Sequence, residues 1–314
     1  MNLIRKSKAL LTLLGRSVKK IVLPGFDGLT LVEVLNFFWK GVINGALTLR
    51  ASAIAYNFFL AVFPTIIVLF TLIPYIPIDN FQVVLMNMLK DLMPSDVYDA
   101  VESTIQEIVT RKRNDLLSFG FILTLFFASG GIAALINAFN SSYHKVENRT
   151  WLKRQLISLV LIFIFGFLLS VAIVLIIFSG MVIDFFQARE LLTNKLLIAV
   201  LHNGKWLIIL TFILVSISSL YYLAPARRKE YRFITPGSIL ASISIILTST
   251  AFSAYLNNFG QYNKVYGSIG TLIALLIWLF INSLVLLIGF ELNVSIHNMR
   301  RIKEGSDTST DQAG

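Results

Sequence analysis

Long apolar stretches, separated by short charged connections, dominate the pattern of this chain. A membrane core about 30 Å thick is crossed by about 20 apolar residues in a helix, and six segments have that length. They are 51–76, 116–140, 156–183, 206–224, 233–256 and 268–297. Backbone groups in lipid must find their hydrogen bonds within the segment, and these stretches lack the alternation typical of strands. The sequence therefore predicts an all-α polytopic membrane protein with six transmembrane helices over residues 51–297.

Amphipathic segments flank and connect these spans. In residues 1–50, Leu3, Leu10, Leu14, Val18 and Ile21 recur at helical spacing between basic residues, and a second apolar stretch covers 35–43. Both predict interfacial helices at the cytoplasmic side. In the connection 77–115, two apolar stripes separated by Pro94 predict an extracytoplasmic helical hairpin. This hairpin is expected to pack on its own bundle, to lie on the outer leaflet or to contact a partner. The polar tail 298–314 is predicted to be disordered.

The composition supports a membrane location and changes the interpretation of the charge. Hydrophobic residues make up 56% of the chain and charged residues only 14%. The formal net charge is +10. With the N-terminus inside, the inner segments hold 19 of the 27 Lys and Arg residues and the outer segments hold 8, which predicts that both termini are cytoplasmic. We therefore attribute the basic excess to orientation and to contact with anionic lipids, and we expect no nucleic-acid partner.

Charged residues inside spans are rare, and Glu291 is the clearest candidate for a functional one. It lies about 9 Å from the end of the sixth span, and Arg50 begins the first span on the same side. We predict an Arg50–Glu291 ion pair, which either stabilises the bundle or takes part in transport. Glu291 and Asn293 differ in direction by about 200°, whereas Asn282 and Asn293 differ by about 20°. These side chains therefore do not all line one cavity.

Asparagines and small residues within the spans predict contacts between helices. Hydrogen bonds between helices, worth about 0.6–2 kcal/mol each, are expected at Asn57, Asn137 and Asn140. Close helix contacts are expected at Gly130, Gly131 and Ala134, and at Gly267, Gly270 and Ala274.

The sequence offers little support for an enzyme. The chain contains no cysteine, which excludes disulfides and thiolate chemistry, and its three histidines lack the spacing of a metal site. There is no Walker A sequence, no GxSxG elbow and no GxGxxG after a strand. We expect no catalytic residue, no metal and no cofactor.

Four segments carry a family resemblance. They are RASAIAYNFFLAVFP at 50–64, NAFNSSYHKVENRTWLKRQL at 137–156, TPGSIL at 235–240 and YGSIGTLIALLIWLFINSLVLLIGFELN at 266–293. Together they resemble the landmarks of the YihY/BrkB family of bacterial inner-membrane proteins, over about residues 30–297. The resemblance implies six transmembrane helices with cytoplasmic termini. It maps the family's polar landmarks onto Tyr56, Asn140, Tyr143, Arg149, Tyr266, Glu291 and Asn293. This chain has Phe290 where the family often has alanine.

The resemblance also bears on activity. The family has carried a ribonuclease label, but phosphodiester hydrolysis needs clustered metal ligands or a histidine acid–base pair, and the sequence contains neither pattern. Other members have been linked to serum resistance and to the passage of lipopolysaccharide precursors, which implies a role in the envelope.

We therefore expect a multi-pass protein of the bacterial inner membrane that transports or flips a lipid or other amphiphile without ATP hydrolysis. The alternative is an envelope structural or assembly protein that binds a partner through the 77–115 hairpin and transports nothing. The candidate transport or gating residues are Arg50, Tyr56, Asn140, Tyr143, Arg149, Tyr266, Asn282, Glu291 and Asn293.

Overall fold

All secondary structure in the described part of the chain is helical, as a computed structural model defines it. The structure describes residues 25–44 except Asp27, 46–75, 112–142, 149–188, 195–226, 232–258 and 262–311, with isolated positions between 83 and 107. The helices are α1 Leu31–Asn44, α2 Leu47–Leu72, α3 Asn114–Ser142, α4 Trp151–Ala188, α5 Lys195–Leu223, α6 Pro236–Asn258 and α7 Tyr262–Asp311. A short 3₁₀ turn, Ile73–Tyr75, follows α2.

Six of these helices, α2 to α7, are long and apolar enough to cross a membrane, which confirms the predicted six-span fold. Most helices extend beyond the predicted spans, as α4 and α5 do at Trp151–Ala188 and Lys195–Leu223, and two boundaries have a local cause. The helix α2 ends at Leu72 rather than at residue 76, because a 3₁₀ turn that contains Pro74 replaces the last predicted turn. The helix α6 begins at Pro236, since proline is favoured in the first helical position. The interfacial helix predicted within residues 1–21 and most of the 77–115 hairpin lie outside the described residues.

The C-terminal segment differs from the disordered tail that we predicted for 298–314. The helix α7 continues without a break to Asp311. No proline interrupts this segment, and Met299 packs against the apolar cluster that joins α7 to α1. Arginine, lysine and glutamate within residues 300–304 are good helix formers, and with the Met299 contact they favour extension of the helix beyond the span.

The six spans form a ring in which consecutive helices are neighbours and α7 returns to pack on α2. Burial is uneven along this ring. In α7, every residue from 289 to 296 is buried, whereas among residues 269–282 only Gly270 is buried. No residue of α5 between 206 and 216, and none of α6 between 243 and 256, is buried. We call the end that contains residues 289–296 the packed end, and the segments 206–216 of α5, 243–256 of α6 and 269–282 of α7 the open half.

The helix α1 lies against the packed end. Val34 and Phe38 contact a small apolar cluster that includes Leu292 and Ile296 of α7. The N-terminus of α1 has a capping box, because Thr30 donates hydrogen bonds from its backbone N–H and its hydroxyl to Glu33. The hydroxyl bond, followed by the backbone bond, holds the pKa of the Glu33 carboxyl below its ordinary value.

The helices α6 and α7 cross at two glycines in the packed end. A Cβ atom on Gly237 would overlap the carbonyl oxygen of Gly289. A Cβ atom on Gly289 would lie 2.7 Å from the Cβ of Ala241 and 2.7 Å from the hydroxyl of Tyr221. The two backbones therefore approach more closely than any other residue type would allow.

We predict that Gly237→Ala lowers the free energy of unfolding by about 1–3 kcal/mol, because the added methyl group overpacks a backbone contact. Thermal unfolding of the detergent-solubilised protein measures this change. The matched control is Gly166→Ala in α4, where a Cβ would meet no atom within 4 Å, so the unfolding temperature should stay level or rise. Equal behaviour of the two variants would contradict the prediction.

Candidate functional site

Five of the nine candidate residues from the sequence meet at the packed end. We call Arg50, Asn140, Arg149, Glu291 and Asn293 the polar cluster. Arg50, Asn140 and Arg149 lie near helix ends, since α2 begins at Leu47, α3 ends at Ser142 and α4 begins at Trp151. Glu291 and Asn293 lie in the interior of α7, in the segment beside which α6 begins.

Arg50 binds the C-terminal turn of α3. Its Nη1 atom donates to the carbonyl oxygen of Ala138 at 2.7 Å and to the hydroxyl of Ser142 at 2.9 Å. A cation in this position also interacts favourably with the negative end of the helix dipole. The charge of Glu291 also acts on this guanidinium, but the described hydrogen bonds of Arg50 go to α3, so the ion pair stays a prediction. Whether their interaction serves transport stays a prediction.

Glu291 is only 5% exposed although it carries a carboxylate. One wall of its surroundings is Gly41 of α1, where an added Cβ would overlap the Oε1 atom of Glu291. The absence of a side chain at Gly41 therefore leaves the space that the carboxylate occupies. The helix α1 thus covers Glu291 on one side, while Arg50 supplies a positive charge nearby.

Asn293 binds the N-terminus of α6. Its Oδ1 atom accepts a hydrogen bond from the backbone N–H of Gly237 at 2.8 Å, and its Nδ2 atom donates to the hydroxyl of Thr235 at 2.8 Å. Thr235 and Ser238 also cap each other's backbone N–H groups. These bonds satisfy amides at a helix start that has no preceding turn. The role of Asn293 is therefore to join α7 to α6.

Asn140 and Arg149 hold the segment that follows α5. The backbone N–H of Ala226 donates to Oδ1 of Asn140 at 3.0 Å. The Nη2 atom of Arg149 donates to the carbonyl oxygen of Ala224 at 2.8 Å. Both side chains therefore tie the C-terminal end of α5 to the C-terminal end of α3 and to the start of α4.

Three aromatic rings pack together in the packed end, and the sequence singles out only one of them, Phe290. The rings of Phe139 and Phe290 stack at 4.2 Å between centroids, and Tyr221 makes edge contacts with both, at 5.5 and 5.4 Å. The hydroxyl of Tyr221 donates to the carbonyl oxygen of Leu286 at 2.6 Å. The unusual Phe290 thus fills a ring-sized space between α3, α5 and α7. That substitution was the one signal in the sequence that an aromatic partner was present.

The remaining candidates lie elsewhere or outside the description. Tyr56 is 59% exposed on the surface of the bundle, and Asn282 donates to the carbonyl oxygen of Trp278 in its own helix. Tyr143 is outside the described residues, as is the side chain of Tyr266. The structure therefore places neither Tyr56 nor Asn282 in the polar cluster. Tyr56 is on an exposed face of α2, and Asn282 lies about three turns away from Asn293 along α7.

The predicted contacts of small residues and asparagines are met in part. Gly131 lies against the ring of Phe58, and a Cβ on Gly130 would meet the side-chain oxygen of Asn57 at 3.4 Å. Asn137 accepts a hydrogen bond from Arg154 of α4, but Asn57 donates to Ala53 in its own helix. Among the described residues, no three His, Asp or Glu side chains are grouped so that they could hold a metal ion.

We predict that Asn293→Leu destabilises the protein by about 2–4 kcal/mol, because two buried partners, each worth about 1–3 kcal/mol, lose their hydrogen bonds. Chemical unfolding in detergent measures the change. Asn282→Leu is the matched control on the same helix, since its amide N–H group bonds only within α7, and it should cost less than half as much. An equal cost for both variants would show that Asn293 does not join the two helices.

We predict energetic coupling between Arg50 and Glu291. The charge of Glu291 acts on Arg50, and Arg50 also bonds to the last turn of α3, so Arg50→Gln and Glu291→Gln should each destabilise the protein, while the double variant should cost about 0.5–3 kcal/mol less than their sum. Unfolding of the four proteins measures the cycle. Arg154→Gln is the control, since Arg154 binds Asn137 instead, and its effect should add to that of Glu291→Gln within about 0.5 kcal/mol.

Comparison with known proteins identifies relatives along most of the chain. A putative ribonuclease-like protein, YfkH, of Bacillus subtilis (strain 168) is 31% identical over 255 residues, which cover 81% of this chain and 92% of the relative. The UPF0761 membrane protein NTHI0384 of Haemophilus influenzae (strain 86-028NP) is 27% identical over 83% of this chain and 95% of the relative. A UPF0761 membrane protein of Psychromonas ingrahamii is 23% identical over 90% and 94%, respectively. No solved structure matches.

A family model described as virulence factor BrkB matches residues 38–313. This range includes the whole polar cluster and all six spans. With its six apolar helices and its membrane-protein relatives, the chain is a multi-pass membrane protein that belongs to the BrkB family.

Proposed function

We propose that this protein transports or flips a lipid or other amphiphile across the bacterial inner membrane without ATP hydrolysis, and that the polar cluster is its closed gate. The observation that carries the proposal is the uneven packing of the ring. The packed end is sealed by buried polar and aromatic side chains, while the open half of α5, α6 and α7 contains almost no buried residue among those described. A ring that is closed at one end and loosely packed at the other corresponds to one state of an alternating-access cycle.

The chemistry of the open half favours an amphiphile over an ion. No charged residue occurs in the parts of α4 to α7 at 156–178, 206–216, 243–256 and 269–282. The hydroxyls of Thr248 and Thr250 in α6 donate to carbonyl oxygens of their own helix. A hydrophilic solute would therefore find few hydrogen-bond partners in this half. An acyl chain forms no hydrogen bonds, so its contact with apolar side chains carries no cost of unsatisfied polar groups.

The packed end retains polar atoms that a headgroup could use. The Nε atom of Arg50 and the hydroxyls of Ser218 and Ser295 are buried without a hydrogen-bond partner in the described structure. They lie on three different helices, α2, α5 and α7. Separation of these helices would present three unused hydrogen-bonding atoms beside the charge of Glu291, which suits a substrate with a polar head.

The distribution of basic residues supports a cytoplasmic position for the packed end. Counted along the sequence, 19 of the 27 Lys and Arg residues fall in 1–50, 141–155, 225–232 and 298–314, a distribution typical of cytoplasmic segments. The contact of α1 with Leu292, Ile296 and Met299 of α7 supports a common side for the N-terminal and C-terminal parts of the described chain. Both termini inside, and a gate on the cytoplasmic side, are therefore part of the proposal.

A catalytic role finds less support than transport. The relative YfkH is named ribonuclease-like. In the present chain, however, Arg50, Arg149 and Asn293 of the packed end are engaged in hydrogen bonds to backbone atoms. Hydrolysis of a phosphodiester would require a base or metal-bound water aligned with the substrate. We therefore propose a role without catalysis.

The test is reconstitution of the full chain in liposomes that carry a panel of fluorescently labelled envelope lipids. We expect the protein to translocate at least one lipid faster than empty liposomes do. Glu291→Gln should lower that rate most of the way to the background, while Gly166→Ala, which lies outside the packed end, should match the unaltered protein. Translocation equal to that of empty liposomes for every lipid would overturn the proposal and favour an assembly role.

A further inference from the structure

The helix α1 has two faces with different surroundings. Its inner face carries Val34 and Phe38, which pack on α7, and Gly41, which lies against the carboxylate of Glu291. Val34 and Phe38 belong to a small cluster that is separate from the main apolar core, and Val42 packs against the main core itself. The contact of α1 with α7 is less extensive than that of α6 with α7. The attachment of α1 to the packed end is therefore limited in extent, although it covers a buried charge.

The outer face of α1 carries an apolar stripe that no described residue covers. Leu35, Trp39 and Ile43 follow one another at intervals of four residues and are 47%, 63% and 65% exposed. Residues four apart lie on the same face of a helix. Apolar stripes with a tryptophan are typical of helices that lie in the interface of a membrane, and the spans that α1 adjoins place it beside a bilayer.

The charge around this stripe is complementary to an anionic surface. Lys40 on α1, Lys153 at the start of α4, and Arg301 and Lys303 on α7 are all exposed near the packed end. Glu33 is the only exposed carboxylate among the described side chains of that end, and the charge of Lys303 acts on it. Anionic headgroups attract basic side chains that flank a membrane span.

We propose that α1 binds the anionic headgroup layer through Leu35, Trp39, Ile43 and Lys40, and that this binding holds its inner face over Glu291. The lipid surface, which lies outside the helix bundle, thereby holds α1 in place and keeps the packed end closed. Loss of anionic lipid loosens α1 and exposes the contact between Gly41 and Glu291. The inference does not require that the protein transports anything, because it concerns only the position of α1.

The chain contains no cysteine, so a single introduced thiol can report on α1 without background. Val34→Cys places this thiol at a fully buried position between α1 and α7. The full-length variant is placed in nanodiscs of phosphatidylcholine, alone or mixed with phosphatidylglycerol. The rate of reaction with a water-soluble maleimide then measures how often α1 leaves α7. We expect slower labelling with phosphatidylglycerol, and the difference should shrink at high salt, which screens surface charges.

Substitutions in the outer face separate the stripe from the charge. Trp39→Gln should raise the labelling rate in phosphatidylglycerol nanodiscs to the phosphatidylcholine value. Lys40→Gln should reduce the lipid effect by up to about five-fold, the affinity that one lysine supplies near a charged membrane. Trp206→Gln is the matched control, since Trp206 is similarly exposed but lies at the opposite end of the spans, and it should change nothing.

A second reporter guards against local effects of the first. Ile296→Cys places the thiol on the α7 side of the same contact, and both reporters should give the same dependence on lipid. Labelling rates that are equal in the two lipids for both reporters, or equal for Trp39→Gln and Trp206→Gln, would overturn the proposal. Labelling that depends on the amount of protein per nanodisc rather than on lipid charge would also overturn it and indicate a second copy of the chain on the stripe.

Discussion

Helix ends that are buried inside a membrane protein carry amide and carbonyl groups that water cannot reach, and each such group must find another partner. This requirement organises the packed end. Arg50 bonds to the last turn of α3, Arg149 bonds to the residue that follows α5, and Asn293 bonds to the first turn of α6. The side chains that attract attention as candidate transport residues are thus, first of all, the partners of helix ends. Their rarity in the spans follows from how few helix ends are buried.

The same requirement explains why the closest contacts of the bundle involve glycine. For Asn293 to reach the N–H group of Gly237, α6 and α7 must approach within backbone distance, and Gly237 with Gly289 permits that approach. For Glu291 to remain buried beside Arg50, α1 must leave room for its carboxylate, and Gly41 does so. Polar residues and glycines at the packed end therefore act together. The polar side chains form hydrogen bonds with backbone groups, and the glycines allow the helices to approach closely enough for these contacts.

Much of this molecule could be predicted from sequence, for identifiable physical reasons. The spans are long and uncharged, so their number follows from length and hydropathy, and the charges of Arg50 and Glu291 are conspicuous because their surroundings are apolar. The partners of these residues could not be predicted, because Ala138, Ala224 and Gly237 contribute backbone atoms that have no side-chain signature. The family resemblance that indicates Tyr56 and the shared helix direction that links Asn282 to Asn293 do not reveal that Tyr56 is exposed or that Asn282 bonds within its own helix. Tyr221 was missed because its hydroxyl bonds to a carbonyl on another helix.

The geometry of α7 links the two proposals. Glu291 and Asn293 are two residues apart and therefore point to nearly opposite sides of the helix, so one meets α1 and the other meets α6. A rotation of α7 about its axis cannot improve both contacts, because it moves the two side chains in opposite directions relative to their fixed partners. The segment 289–296 is consequently held from both sides, and any opening of the packed end must release α1 or α6 first. Because α1 contacts α7 less extensively than α6 does, its release disturbs fewer contacts, and conditions at the membrane surface then control access to Glu291.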